Sequence, residues 1–298
     1  MKNTTQSLAK FALPKGNTLT TSHNFVKESG GVNIPKLANY YALPVNDSAL
    51  PNREQLDKGR ADVLAAQSAA AAQGTKVSPN SNVIKHYKSL LPMVLPVNIF
   101  SVLLGHMLGD CCVKYNASKD QAYMSFEWGN KSYAWFVYNM LSDYVLSAPR
   151  VQIRVNALGN TVTTYCFQTV TLPSFAVFHH LFIERGVKTV PIGLIQYLLT
   201  PLALAIWFMD DGGQTDYRKG HGHGVQLNTQ GFTLEAVSNM VKELNDKYNL
   251  DCWMRILQNK GGKPIIVIPS KSYPKFHSLV KEHIDSSMMH KLPAPKGS

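Results

Sequence analysis

The chain of 298 residues is poor in acidic residues and in cysteine, and it lacks long apolar runs. Its 19 Asp and Glu residues are outnumbered by 30 Lys and Arg residues, giving a formal net charge of +11. This balance fits a polyanionic partner, most simply a nucleic acid. The four cysteines form no Cys-x-x-Cys pair and no zinc-ligand spacing, so we expect buried thiols in a reducing compartment. Because no apolar run approaches the roughly 20 residues of a membrane helix, no membrane partner is expected.

The first 95 residues differ in composition from the rest of the chain. They are rich in Asn, Ser, Thr, Pro and Gly, and they lack hydrophobic periodicity apart from a helix candidate over residues 54–73. Residues 1–27 contain lysines and hydroxyl residues but no acid, which weakly resembles an organellar transit peptide. Much of the positive excess lies in this region, so the body that follows is only mildly basic. The sequence predicts that residues 1–95 form a flexible or partner-bound extension.

Patterned segments begin near residue 96 and divide into two similar halves, residues 96–195 and 196–298. Each half opens with an apolar helix, followed by two strand candidates, a helix, two more strand candidates and a last helix. The order repeats after roughly 100 residues, which indicates an internal duplication. We therefore expect an α+β fold of two pseudo-symmetric αββαββα halves. A monomer is expected, because one chain then supplies both copies of the repeat.

Two acids, Asp110 and Asp211, occupy matched positions at the ends of the apolar helices. A carboxylate there faces the negative end of the helix dipole, at a cost of roughly 0.3–1 kcal/mol, so a pair of them favours a bound cation. Mg²⁺ suits such a site because it binds through one or two carboxylates and takes water and phosphate oxygens as its other ligands. Lys188 and Lys291 each follow one acid by roughly 80 residues and stand near a proline, which extends the repeat.

The two apolar runs, over residues 102–110 and 202–212, resemble the paired motifs of the LAGLIDADG homing endonucleases. Residues 207–213, with the sequence Trp-Phe-Met-Asp-Asp-Gly-Gly, are the most specific part of the similarity. The similarity extends over residues 97–293 and is to the single-chain type, which carries two motifs in one polypeptide. It implies that the two apolar helices pack against each other and bring their acids together.

The resemblance also implies roles for individual residues. By motif register, Asp110 and Asp211 would be the metal-binding and catalytic acids, while Asp210 would not bind metal. Lys188 and Lys291 would be the active-site lysines, which polarise water or offset phosphate charge. The implied reaction is metal-dependent cleavage of both strands of a long site in double-stranded DNA, with Mg²⁺ or Mn²⁺ as the cofactor.

The strands of the two halves would form a saddle over the DNA major groove, where a two-stranded ribbon can read base edges. Polar and basic residues on the strand candidates and their turns are the groove candidates: Arg150, Gln152, Arg154, Arg255, Gln258, Lys260 and Lys263. For each of these residues, a solvated strand face is an equally open alternative.

A second function class stays open beside the endonuclease. Proteins that resemble this fold can act as intron-splicing maturases, and such a protein could instead be retained as a partner of organellar rRNA or the ribosome. The mildly basic body and the long N-terminal region favour an RNA partner. The intact pairs of acids and lysines favour the enzyme, because a protein that only binds RNA has no chemical need for them. Either function is expected in an organelle, with the mitochondrion favoured over the chloroplast.

Overall fold

The computed structural model describes residues 32–42, 52–215 and 224–293. Two similar α+β halves lie side by side in this part of the chain, and a group of helices precedes them. No helix within the described ranges is long and apolar enough to cross a membrane.

In the described part of the N-terminal region, three helices precede the first half: α1 (Ile34–Ala42), α2 (Arg53–Ala72) and α3 (Asn82–Leu90). α2 lies on the helix candidate, and it begins where the Asn52 side chain accepts a hydrogen bond from the Gln55 amide at 3.2 Å. Leu56 on α2 and Tyr87 on α3 are buried in the core that they share with the first half. The Tyr87 hydroxyl donates to the Asp143 carbonyl at 2.6 Å.

The described part of this N-terminal region therefore differs from the flexible or partner-bound extension that the composition suggested. The physical reason is that each short helix has an apolar face of its own. Leu37 and Tyr41 line one side of α1, where the Tyr41 ring stacks on Phe100 at a centroid distance of 4.1 Å. In α1 and α3, which have nine residues each, these faces span only two turns, which is too short for the periodicity to stand out in the sequence.

The first half follows the predicted order. Its elements are α4 (Val97–Leu108), β1 (Cys112–Asn116), β2 (Gln121–Trp128), α5 (Lys131–Met140), β3 (Arg150–Val155), β4 (Thr161–Gln168) and α6 (Ala176–Phe182). The four strands form an antiparallel sheet in the order β1-β2-β4-β3. Short 3₁₀ turns over Ser142–Tyr144 and Pro173–Phe175 lead into β3 and α6.

A short connection leads to the second half, which repeats the order of the first. The connection holds β5 (Ile183–Glu184), β6 (Val187–Lys188) and α7 (Leu194–Leu198). The second half holds α8 (Pro201–Asp211), β7 (Gly212–Gln214), β8 (Val225–Leu227), α9 (Leu234–Tyr248), β9 (Trp253–Leu257), β10 (Lys263–Ile268) and α10 (Tyr273–Val280). It also holds 3₁₀ turns over Gln258–Lys260, Lys281–His283 and Ser286–Lys291. Its sheet has the equivalent order β7-β8-β10-β9, so the predicted αββαββα architecture is confirmed in both halves.

The helices of the second half begin at residues with suitable chemistry. The Thr200 hydroxyl accepts a hydrogen bond from the Ala203 amide at 3.1 Å, and Pro201 occupies the first turn, where its missing N–H is not needed. Thr233 caps α9 in the same way through the Ala236 amide at 3.2 Å. These caps fix where α8 and α9 start, and therefore how far α8 reaches toward the site at its other end.

The two halves meet through α4 and α8. Both helices are buried along almost their whole length, as expected for helices that are apolar all round. A Cβ atom on Gly105 would lie 2.5 Å from the Ala203 carbonyl oxygen and 2.7 Å from Ile206 Cβ. Glycine at this position therefore allows the two backbones to approach closely, and the C-terminal ends of both helices reach the same place.

Candidate active site

Asp110 and Asp211 lie together at the C-terminal ends of the two central helices. Gly109 ends α4 and Asp110 follows it, while Asp211 is the last residue of α8. The first strand of each sheet starts within two residues of its acid, so both sheets lead away from this point. The structure therefore brings together the two acids that the sequence selected.

Burial and mutual repulsion disfavour the ionised forms of both acids. Burial raises the pKa of Asp211 to about 7, with further contributions from the negative charges of Asp110 and Asp210. The pKa of Asp110 is raised in the same direction, first by desolvation and then by Asp210, although its side chain reaches solvent. The carboxylates thus form a concentration of negative charge that the surrounding side chains do not fully neutralise.

The two predicted lysines lie against the same helix ends. Lys188 Nζ donates to the Gly109 carbonyl at 2.7 Å, and Lys291 Nζ donates to the Asp210 carbonyl at 2.8 Å and also to the Met209 carbonyl. Both ammonium groups satisfy carbonyls at the negative end of a helix, which is a favourable position for a cation. Burial lowers the pKa of both lysines, and the nearby carboxylates counteract this shift.

The arrangement suits a hard divalent cation that binds through few protein ligands. Asp110 and Asp211 offer carboxylate oxygens whose charge is uncompensated, which is the donor chemistry that Mg²⁺ and Mn²⁺ prefer. Within the described ranges, no group of three or more His, Cys, Asp or Glu side chains could hold a metal by itself. A bound ion would therefore complete its coordination with water and with phosphate oxygens of a nucleic acid.

Asp210 has a different position from its neighbour Asp211. Its side chain is 0% exposed, and its Oδ1 accepts hydrogen bonds from Trp128 Nε1 at 3.2 Å and from the Tyr133 hydroxyl at 2.9 Å. Oδ2 lies 2.8 Å from His106 Nδ1 and accepts from the Asp110 amide at 3.2 Å. The tautomer of the His106 ring decides which of the two atoms donates in this contact.

This cluster was not predicted from the sequence. His106 interrupts an otherwise apolar helix, and that interruption was the available signal of a buried polar partner. Trp128 does pack with core aromatics, as its ring lies 5.4 Å from Phe126, but its indole N–H also has a polar role. The register that separated Asp210 from Asp211 agrees with these contacts, since Asp210 points into the interior.

The first three groove candidates share one face of the first sheet. Arg150, Gln152 and Arg154 alternate along β3 and are exposed, and their pairing with β4 places them on the side that carries Glu127. Arg154 forms an ion pair with Glu127. Arg150 Nε lies 3.2 Å from Cys166 Sγ. The face is therefore polar and held together by contacts between strands.

The other groove candidates lie on the second sheet and its turn. Arg255 on β9 pairs with Ile265 on β10. Lys263 lies two residues before Ile265 on β10, so its side chain is on the same face of the sheet. Arg255 Nη2 donates to Gln226 Oε1 at 2.8 Å on the neighbouring strand β8. Gln258 is exposed in the turn before β10. Lys260 belongs to the same turn, and its side chain lies outside the described part of the structure.

A family model described as the LAGLIDADG DNA endonuclease family matches residues 100–276. The chain is 36% identical over 217 residues to a protein of Wickerhamomyces canadensis named "Probable intron-encoded endonuclease 1", which covers 72% of this chain and 92% of the relative. It is 29% identical over 203 residues to the "Cytochrome b mRNA maturase bI2" of Debaryomyces hansenii, covering 66% of this chain and 74% of the relative.

Among solved structures, the homing endonuclease I-WcaI bound to its DNA recognition sequence is similar to this chain with a TM-score of 0.69. The sequence identity is 36%, and the match covers 74% of this chain and 96% of that chain. About a quarter of the present chain thus lies outside the matched part.

Proposed function

This chain belongs to the LAGLIDADG DNA endonuclease family, and we propose that it is a site-specific, metal-dependent endonuclease that cleaves both strands of a long DNA site. The observation that carries the proposal is the matched pair of acids, Asp110 and Asp211, at the ends of two packed helices. Each acid has a half-buried lysine beside it. One chain supplies both halves of this arrangement, so the endonuclease acts as a monomer.

Asp110 and Asp211 would hold the divalent cation, with Mg²⁺ as the physiological ion and Mn²⁺ as a substitute. When bound, such a cation activates a water molecule and stabilises the leaving oxygen of an in-line phosphoryl displacement. Lys188 and Lys291 contribute from the protein side. Helix carbonyls hold each ammonium group next to the acids, where it can donate a hydrogen bond to a phosphate oxygen or to the attacking water.

The two sheets supply the DNA-binding surface in this proposal. The exposed face of β3 presents Arg150, Gln152 and Arg154, and a two-stranded ribbon of this kind fits the major groove. Arginine can read a guanine edge with two hydrogen bonds, and glutamine can read an adenine edge. Arg255 and Lys263 offer the corresponding chemistry on the second sheet. Gln258 and Lys260, in the turn between β9 and β10, are further candidates for groove or phosphate contacts.

The decisive experiment is cleavage of a randomised DNA library in Mg²⁺, followed by sequencing of the cut ends. The wild-type protein is expected to yield one family of cut sites. Asp110→Asn and Asp211→Asn are each expected to abolish double-strand cleavage, because each removes a metal ligand. Asp246→Asn is the matched control, since it makes the same change in charge at an exposed position of α9 and should leave cleavage intact.

Two results would overturn the proposal. One is double-strand cleavage that survives both Asp110→Asn and Asp211→Asn. The other is a wild-type protein that binds the metal and folds but cuts no DNA in the library.

The similarity to a maturase supports a second candidate function, in which the fold binds intron RNA or ribosomal RNA with little cleavage. The body of the chain is mildly basic, which suits either nucleic acid. Crosslinking and sequencing of bound RNA, in cells that carry Asp110→Asn, separates the two functions. An RNA partner whose processing continues in this variant would favour the maturase or a ribosome-bound role.

The names of the relatives refer to intron-encoded proteins and to cytochrome b mRNA, so we propose a mitochondrial location, with the chloroplast as the alternative. A tagged full-length chain that fractionates with neither organelle would contradict this location.

A further inference from the structure

The hydrogen bonds around Asp210 join the two halves through one side chain. The carboxylate comes from α8 in the second half, whereas its four partners all belong to the first half. The Asp110 amide is one of these partners. Asp110 lies beyond the end of α4, after Gly109, whose backbone angles (φ −101°, ψ −128°) have left the helical region. The Asp210 carboxylate, from the second half, thus accepts the hydrogen bond of the backbone N–H of Asp110, a candidate metal ligand in the first half.

Among the described residues of the second half there is no equivalent of this arrangement. The position in α4 that corresponds to Asp210 is Gly109, where a Cβ atom would lie 2.5 Å from Asp210 Cβ and 2.6 Å from its Oδ2. The residue of α8 that corresponds to His106 is Trp207, whose buried Nε1 has no hydrogen-bond partner among the described residues. Only one carboxylate fits between the helix ends, and it serves only one of the two acids.

Asp211 is held in another way. It is the last residue of α8, and its carbonyl accepts a hydrogen bond from the Asn228 amide at 2.9 Å, at the start of the loop after β8. The helix and its own sheet therefore place Asp211. In the first half the Cys111 amide donates to the His106 carbonyl at 2.9 Å, but the Asp110 N–H itself is satisfied by a side chain from the opposite half. The two acids are equivalent in sequence register but not in how their backbone is fixed.

We propose that Asp210 is a positioning residue for Asp110 alone, so that the two strand-cutting centres of the proposed endonuclease depend on it unequally. The unequal dependence of the two cutting centres rests on the proposed function, whereas the positioning of Asp110 by Asp210 does not. Loss of the Asp210 carboxylate releases the Asp110 amide and lets its side chain move, which slows cleavage at the centre that Asp110 serves. The centre built on Asp211 keeps its geometry, and nicked DNA accumulates.

The test compares Asp210→Ala, Asp210→Asn and the matched control Trp207→Phe with the wild type. Asp210→Ala removes both acceptor oxygens. Asp210→Asn keeps the shape and one acceptor, but its NH₂ group must face either the Trp128 N–H or the Asp110 N–H, so it rescues only in part. Trp207→Phe changes a buried ring at the corresponding position of the other motif without removing a hydrogen bond.

The first readout is amide hydrogen exchange in the protein without DNA. Exchange at Asp110 is expected to become at least about tenfold faster in Asp210→Ala and to change less in Asp210→Asn, because the amide loses its acceptor. The amide of Asp211 should keep its wild-type rate in both proteins, and Trp207→Phe should leave Asp110 unchanged. Unchanged exchange at Asp110 in both Asp210 variants would overturn the proposal, whether or not the protein cuts DNA.

The second readout is single-turnover cleavage of a duplex labelled separately on each strand. In Asp210→Ala one strand is expected to be cut about 10- to 100-fold more slowly, as for a small misplacement of a catalytic group. DNA affinity in Ca²⁺ should stay near the wild-type value. Equal slowing of both strands in Asp210→Ala would overturn strand selectivity. If Asp210→Ala does not fold, an Asp210→Asn protein that cuts the two strands without bias would overturn it instead. A wild type that cuts no DNA, with the exchange result intact, would refute the proposed function and leave the positioning role standing.

Discussion

Asp211→Asn is expected to stabilise the protein at alkaline pH in the absence of divalent metal, even though it should abolish cleavage. The cause lies in the crowding of carboxylates at the helix ends. Burial, with repulsion from Asp110 and Asp210, raises the pKa of Asp211 from its ordinary value of 3.8 to about 7. Folding therefore forces this carboxylate into a place where its ionised form is unfavourable.

The pH dependence follows from where protons are bound. Between pH 3.8 and about 7 the folded state holds a proton on Asp211 that the unfolded state has lost, so stability falls as the pH rises. The cost is complete above about pH 7. A shift of this size corresponds to about 4 kcal/mol, and partial contact of the side chain with solvent reduces it to about 2 kcal/mol. The amide of Asp211→Asn carries no charge and avoids this cost.

Urea unfolding in EDTA, at pH 8 and near pH 4, measures the effect. The free energy of unfolding of Asp211→Asn should exceed that of the wild type by about 2 kcal/mol at pH 8 and by little near pH 4. Added Mg²⁺ should narrow the gap at pH 8, because it binds the ionised wild-type site. Asp246→Asn, at an exposed position, should stay within about 0.5 kcal/mol of the wild type at both pH values. A variant no more stable than the wild type at pH 8, or a gain that does not depend on pH, would refute the reasoning.

Two other substitutions test the helix interface and the lysines. Gly105→Ala should lower the free energy of unfolding by about 1–3 kcal/mol through overpacking against Ala203, as measured by urea unfolding. Gly129→Ala is the control, because a new Cβ there meets nothing within 4 Å. Equal losses of stability in the two variants would contradict the close approach of the helices. Lys188→Met and Lys291→Met should each slow single-turnover cleavage by about 100-fold or more with little change in DNA affinity, because each removes a donor beside the acids. A wild-type cleavage rate in either variant would argue against a catalytic role for the lysine that was replaced.

The repeat made the two central helices and their acids predictable from the sequence. Asp110 and Asp211 stand at matched positions after apolar runs, and the period of the repeat also selected Lys188 and Lys291. Hydrogen bonds from Lys188 and Lys291 reach carbonyls at the helix ends where Asp110 and Asp211 lie. A duplicated pattern is informative because each copy tests the other, so features that occur twice stand out from single coincidences.

Features that occur once were beyond this reasoning. The partners of Asp210 come from α4, β2 and α5, and no local spacing links these positions in the sequence. The packing of α1 and α3 is hidden for a related reason, since each apolar face covers only a few residues and lies among polar ones. Tertiary contacts, rather than periodicity, decide that these short helices are folded.

The buried Asp210 explains why the two halves carry different residues at the position before each acid, Gly109 in the first half and Asp210 in the second. A Cβ atom at Gly109 would already lie 2.6 Å from Asp210 Oδ2, and a carboxylate there would bring a further negative charge into a space that Asp110 and Asp211 already crowd. Glycine on one helix and aspartate on the other resolve the conflict, since His106 and Tyr133 then satisfy the single buried charge. Once one half supplies the carboxylate and the other supplies the donors, the halves depend on each other. The first half should then not hold Asp110 in place without the second, which favours retention of both in one chain.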